Sequence, residues 1–185
     1  KFKIAVSGAT NDRAAVTVHD IGLYLIRNDK GETGFRVLVG GGLGRTPYIG
    51  TFIREFLEKK DLLSYLEAIL RVYNRYGRRD NMYKARIKIL VNSLGADKFA
   101  QLVEDEWRRI KDSALLLDQK EIDRVKSFFT SPEYDEQAGQ DTSFEQHLLA
   151  NKQFGNWVKR NVRSHKIGGY RAVFVSLKAP KMAPG

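Results

Sequence analysis

Apolar and polar residues alternate along the opening of the chain, and the period changes partway. A strand over Lys1 to Ser7 puts the ammonium groups of Lys1 and Lys3 on one face and Phe2 on the other, ahead of Ile4, Ala5 and Val6. Gly8 to Asp12 reads as a turn. Ile21 to Arg27 is a second strand, where Ile21, Leu23 and Leu25 alternate with Gly22, Tyr24 and Ile26, so both faces are at least partly covered. Asn28-Asp29-Lys30-Gly31-Glu32 predicts a hairpin turn, and Phe35 to Val39 the returning strand, which runs directly into Gly40-Gly41-Gly42-Leu43-Gly44-Arg45.

From Ile53 onward the spacing is helical, with Phe56, Leu57, Leu62, Leu63, Leu66, Ile69, Leu70 and Tyr73 on one stripe, Asp61 as N-cap and Gly77 at the end. A second helix carries Tyr83, Ile87, Leu90, Val91 and Leu94 and stops at Gly95. A third, Ala96 to Lys111, carries Phe99, Leu102, Val103, Trp107 and Ile110. These stripes predict the core. Farther on, Leu115 to Leu117 and Ile122, Val125, Phe128 and Phe129 suit packing, Thr130 to Glu133 breaks any helix, and Glu136 to Thr142 reads as a polar loop. Ser143 to Ser164 has a helical pattern, and Tyr170 to Leu177 a final strand. The fold class this predicts is α+β, a mixed or antiparallel sheet with helices packed on one side.

Composition narrows the chemistry. The chain has 185 residues, enough to bury about 70% of its unfolded surface, and no apolar run long enough for a membrane span. It has no cysteine, so it cannot by itself form a disulfide, a zinc-thiolate site or an iron–sulfur cluster. His19, His147 and His165 lack metal-ligand spacing and read as surface or capping residues, so no metal site is assigned. A formal net charge of +10 directs attention to anionic partners: nucleic acid, an acidic protein, or an anionic substrate or cofactor.

Lys1 and Lys3 repel one another unless something negative lies between them, though most paired lysines at strand ends merely guard an edge. The Gly40 to Gly44 turn lets backbone approach a ligand closely, yet it has neither dinucleotide nor Walker spacing. Arg78-Arg79-Asp80-Asn81 and Lys84-Ala85-Arg86-Ile87-Lys88 form a second basic cluster. On a helix, Asn81, Lys84 and Lys88 share a face that reads as solvated, or as a clamp for carboxylates.

The opening Lys-Phe-Lys strand, the hairpin ending Val37-Leu38-Val39-Gly40-Gly41-Gly42-Leu43-Gly44, and the run Tyr76 to Lys88 together resemble the sirohaem-dependent nitrite and sulfite reductases. The resemblance is most specific over Lys1 to Gly44 and Tyr76 to Gly95. It implies a sirohaem-binding domain over residues 1–166 and, from 167 to 185, the start of a second ferredoxin-like half. It also implies that Lys1 and Lys3 bind the substrate oxyanion, and that Arg86, Arg79 and the Gly40, Gly41, Gly42 turn lie near the sirohaem. Lys-x-Lys, where the nitrite-reducing branch has Lys-x-Asn, leans toward sulfite over nitrite. The implied parent is a bacterial, cytoplasmic oxidoreductase of sulfur assimilation, with organellar targeting left open. It carries sirohaem and a four-iron cluster and is supplied with electrons by ferredoxin or a flavoprotein.

The family's cluster cysteines and its other sirohaem-binding arginines are absent from this chain, so the resemblance implies a fragment that depends on the rest of its parent, stably binds neither cofactor and is inactive alone. A lost N-terminal segment is expected from the missing initiator methionine. Two other readings stand beside this one. One is a basic nucleic-acid-binding module, with Tyr73, Tyr76 and Tyr83 near the arginines but no recognised motif. The other is a structural domain without a cofactor role.

Overall fold

β-branched and aromatic residues at alternate positions give four strands: β1 (Ile4–Ser7), β2 (Ile21–Arg27), β3 (Thr33–Val39) and β4 (Thr51–Glu58). In the computed structural model, which describes residues 2–135 and 143–175, the chain divides into two compact units between Thr130 and Ser131. The first unit holds a sheet of order β1-β2-β3-β4. β1 runs parallel to β2, with Ile4 beside Ile21 and Val6 beside Leu23, and the other two pairings are antiparallel, so the sheet is mixed.

Three helices, α1 (Leu62–Tyr76), α2 (Ile87–Leu94) and α3 (Ala96–Ile110), cover one face. Their stripes bury Tyr65, Ile69, Val72, Ile87, Phe99 and Val103 against Ile21, Leu23, Val37, Val39 and Leu57. Each such side chain contributes about 1.5–3 kcal/mol by leaving water. Polar ties cross the same layer: Glu104 accepts hydrogen bonds from Tyr65 Oη (2.8 Å) and Arg54 (2.7 Å), and Trp107 Nε1 donates to Ser64 Oγ at 3.0 Å. Burial, then the Glu104 hydrogen bond, drives the Tyr65 hydroxyl well above the usual tyrosine range, so it stays a donor.

The opposite face is capped by a single 3-10 turn, Val16–Val18, whose Val16 packs with Ala5 and Leu38. Gly22 makes that approach feasible: a Cβ there would lie 2.5 Å from Val16 Cγ1 and 2.7 Å from the Val16 carbonyl oxygen. Asp12 holds the turn from below by accepting from Val16 N (3.0 Å), Ala14 N (3.2 Å) and the Tyr24 hydroxyl (2.9 Å).

The α+β class and the one-sided helical layer agree with the expectation, and α1 ends at Gly77 and α2 at Gly95 as their spacing predicts. Several details differ. Residues 53–58 belong to β4, not to a helix, because Ile53 and Leu57 face the core from a strand whose register with β3 shifts near Val37. Asp61 stands at the N-terminus of α1 but makes no side-chain cap bond. The second helix starts only at Ile87; Asn81 to Lys84 is a turn, and Tyr83 is exposed rather than in the core. Beyond α3, α4 (Gln119–Lys126) is capped by Asp118, and Phe128 and Phe129 stay exposed instead of packing.

In the second unit, the helical pattern over Ser143 to Ser164 resolves into α5 (Ser143–Ala150), α6 (Lys152–Asn161) and the start of a hairpin of β5 (Val162–Ser164) with β6 (Arg171–Val173). Asn151 makes the break by accepting from Phe154 N at 3.0 Å, an N-cap that starts a new helix. Position 166, the expected domain limit, falls inside this unit. The final strand, expected over Tyr170 to Leu177, is the shorter β6, which ends at Val173, while Lys1, the polar loop over 136–142 and residues 176–185 lie outside the described residues. Among the described residues no helix is long and apolar enough to cross a membrane.

Gly22→Ala is expected to destabilise the first unit by about 3 kcal/mol, the upper end for overpacking, read as a lower urea midpoint with an unchanged slope. Asp12 has a second, pH-dependent signature. Its amide bonds, that from Val16 foremost, hold its carboxyl below the usual range. Its contribution is therefore complete above about pH 4 and lost as pH falls through the lowered value. Asp12→Asn is expected to remove that acid-side component of the stability–pH curve, and an unchanged curve would refute it.

Candidate functional site

Four chain segments meet where β1 begins, and each brings one charged or glycine position. Asp20 lies immediately before β2, only 1% exposed. Its Oδ1 accepts from Arg86 Nη2 (2.9 Å) and Nε (3.2 Å), its Oδ2 from the backbone N–H of Lys3 (3.0 Å), and its carbonyl from Gly40 N (3.0 Å). The buried carboxylate thus ties the start of β1 to the residue before α2, and the backbone carbonyl of the same residue holds the end of β3. A buried charge is tolerated when paired and hydrogen-bonded in this way.

Beside that knot is a cavity of about 230 Å³ lined by Lys3, His19, Asp20, Gly42, Leu43 and Arg86 among others. Lys3 is exposed, on the same strand parity as Ala5 and Ser7, while Phe2 falls on the other face with its ring 6.5 Å from Tyr73. Of the residues singled out from the sequence, Lys3, Gly42 and Arg86 come together here. Lys1 lies outside the described residues.

Gly40 and Gly41 serve the protein's own packing. Gly40, at φ 81°, sits against Val91, and a Cβ on Gly41 would lie 2.4 Å from the Thr17 carbonyl oxygen. Arg79 stands apart from the cavity, at the end of α1. Its guanidinium lies 4.7 Å over the Tyr73 ring and donates to Asn74 Oδ1 at 3.1 Å. Tyr73 in turn donates to the Ala85 carbonyl at 2.7 Å, so Arg79 braces the segment that presents Arg86. This also shows Tyr73 engaged within the fold rather than free to stack on a base.

Two further residues were not singled out from the sequence as site groups. Asp20 has no periodic signal, being a lone acid before an apolar strand. Lys88, expected on a solvated face, is 7% exposed. Its Nζ donates to the Leu43 carbonyl at 3.0 Å and the Thr46 carbonyl at 2.6 Å, pinning the loop after Gly42, and its stem would sit 2.9 Å from a Cβ at Gly42. The short helix α2 produces this by turning Lys88 inward beside Ile87.

The cavity suits a small anion. At 230 Å³ it is below the ~300–1,000 Å³ of sites that enclose a drug-sized molecule, so a tetrapyrrole could present a carboxylate edge to it but not be enclosed. With no cysteine, the chain does not fit a four-iron cluster. Among the described residues no group of three or more His, Asp and Glu side chains is placed to hold a metal ion.

The family model for the nitrite and sulphite reductase 4Fe-4S domain matches residues 1–111, and the chain belongs to that family. It is 40% identical over 111 residues to the sulfite reductase (ferredoxin) of Synechococcus elongatus, covering 56% of this chain and 18% of that protein. To the sulfite reductase (NADPH) hemoprotein beta-component of Staphylococcus haemolyticus it is 36% identical over 108 residues, covering 55% of this chain and 19% of the other. The solved Mycobacterium tuberculosis NirA protein aligns with a TM-score of 0.48 and 25% identity, over 50% of this chain and 17% of that one. The chain therefore spans about a fifth of the length of its curated relatives. The family match ends with α3.

Arg86→Met is expected to cost about 3 kcal/mol, the low end for a broken buried pair because Arg86 is 36% exposed. Asp20→Asn combined with Arg86→Met should recover part of that loss, since no unpaired charge is then buried. A double-mutant cycle by urea denaturation measures the coupling, and strict additivity would show that the pair contributes nothing jointly.

Proposed function

We propose that this chain is the part of a sirohaem- and iron–sulfur-dependent reductase that supplies the substrate-binding lysines and one wall of the sirohaem pocket, with sulfite as substrate and nitrite as the alternative. The observation that carries the reading is the meeting of Lys3, Gly42 and Arg86 on one anion-sized cavity in a chain of this family. The resemblance gives Lys1, two residues before Lys3 in the sequence, as the second ammonium of the pair. Sirohaem, when bound, supplies the redox chemistry, and its carboxylates are the ligands that suit Arg86 and the glycine turn.

The chain's own residues bind and orient. Sulfite carries more negative charge than nitrite, and paired ammonium groups neutralise it and donate protons as its oxygens leave as water. Arg86 is held by Asp20, so it offers only its exposed edge to a ligand, whereas the Lys3 side chain is uncommitted by any ion pair among the described residues. The four-iron cluster requires cysteines from elsewhere in the parent, and electrons reach it from ferredoxin or a flavoprotein.

In the full-length parent, Lys3→Asn is expected to lower kcat/KM for sulfite about tenfold more than for nitrite, a difference of about 1.4 kcal/mol in transition-state binding. Steady-state kinetics with both substrates checks this. Equal losses would remove the specificity argument while leaving the lysine's binding role.

A further inference from the structure

We propose that His19 is a third ligand of the Lys3–Arg86 cavity and that its protonation sets how tightly the cavity holds a small oxyanion; this rests on the anion-binding reading above. His19 lines the cavity with Lys3 and Arg86. Its ring is fixed by Nδ1, which lies 2.8 Å from the Ala15 carbonyl oxygen. A carbonyl only accepts, so Nδ1 carries the proton and Nε2 is the nitrogen left for a ligand. Ala15 itself is held in the left-handed region (φ 50°, ψ 45°), where its carbonyl also receives Val18 N at 3.0 Å. A non-glycine residue is strained there, and the two hydrogen bonds on its carbonyl offset that strain.

The neutral ring presents a lone pair at Nε2, which disfavours an anion. The protonated ring presents a donor and a positive charge. Imidazole makes that change between about pH 5 and 8, where lysine, arginine and aspartate do not. The charged groups facing His19 are Lys3 from the start of β1, Asp20 from before β2 and Arg86 from before α2, while Asp12 binds amides of its own turn. Asp20 is taken up by Arg86 and the Lys3 amide, so no free carboxylate competes with an entering anion for the ring.

Sulfate is the probe, because its charge does not change from pH 5.5 to 8.5. Calorimetry on the parent polypeptide is expected to show sulfate binding about tenfold tighter at pH 5.5 than at 8.5. His19→Gln should flatten that ratio to below about twofold. His19→Asn, whose amide can replace Nδ1–H on the Ala15 carbonyl, should behave alike and guards against a merely misfolded turn. Lys3→Ala should weaken sulfate at both pH values. If Lys3→Ala has no effect, or the wild type binds no sulfate at pH 5.5, the cavity itself is not an anion site and both readings fall. If Lys3→Ala weakens binding but the histidine variants keep the pH dependence, the role of His19 alone is overturned.

Discussion

Asp20 is a carboxylate taken out of water, and the candidate site is assembled around keeping it satisfied. Its two oxygens and its carbonyl receive Arg86, the Lys3 amide and the Gly40 amide, so three segments far apart in sequence are brought to one point. The strands make this geometry available: Ile21 N donates to the Lys3 carbonyl at 3.2 Å, continuing the parallel ladder of β1 and β2 up to the charged residues. Without the Asp20 side chain, Arg86 would lose the partner that orients it and the Lys3 amide at the start of β1 its acceptor.

The helical layer braces the same point from the other side. Phe2 leans on Tyr73, Arg79 covers the Tyr73 ring, and Tyr73 holds the Ala85 carbonyl, so the end of α1 fixes the residue before Arg86. Lys88 does the same for the loop after Gly42, with its ammonium bound by two carbonyls rather than a carboxylate. The glycines at 40 to 42 are needed because Val91, the carbonyls of Thr17 and His19, and the Lys88 stem occupy the space a side chain would take. Close approach of backbone at this turn is thus first a matter of internal packing, and only at Gly42 does it open on the cavity.

What was legible in the sequence follows from which forces are local. The hairpin of β2 and β3 and the stripes of α1 and α3 are written in periodicity, because burial of one face repeats along the element. β4 was hidden because Phe56 and Leu57 fall at helical spacing with the leucines of α1 across the charged stretch Glu58 to Asp61, and only pairing with β3 separates strand from helix there. The break at Asn151 is a capping bond, which leaves no trace in hydropathy. Lys3 and Arg86, which the family resemblance singled out, lie on one cavity. Asp20 was not singled out, since a buried ion pair across 66 positions has no signature in spacing. Lys88 misled for a related reason: its period is that of a longer helix, but α2 starts at Ile87 and turns it inward.

On the proposed function, the balance of charge at the cavity favours an anion there. Asp20 can neutralise one cation, and the geometry commits it to Arg86, leaving Lys3 without an acidic partner among the described residues. On the same proposal, the repulsion between Lys3 and Arg86, which line the same cavity, is moderate in water but would grow if the rest of a parent polypeptide or a cofactor closed over it. A small anion entering at that stage removes the repulsion that closure would otherwise create, so its binding and the closing of the site stabilise one another by linkage. On that reading, such a site would hold an anion weakly while open and firmly once enclosed. That is the behaviour expected of a wall that supplies charge and orientation while other parts of the protein supply the electrons.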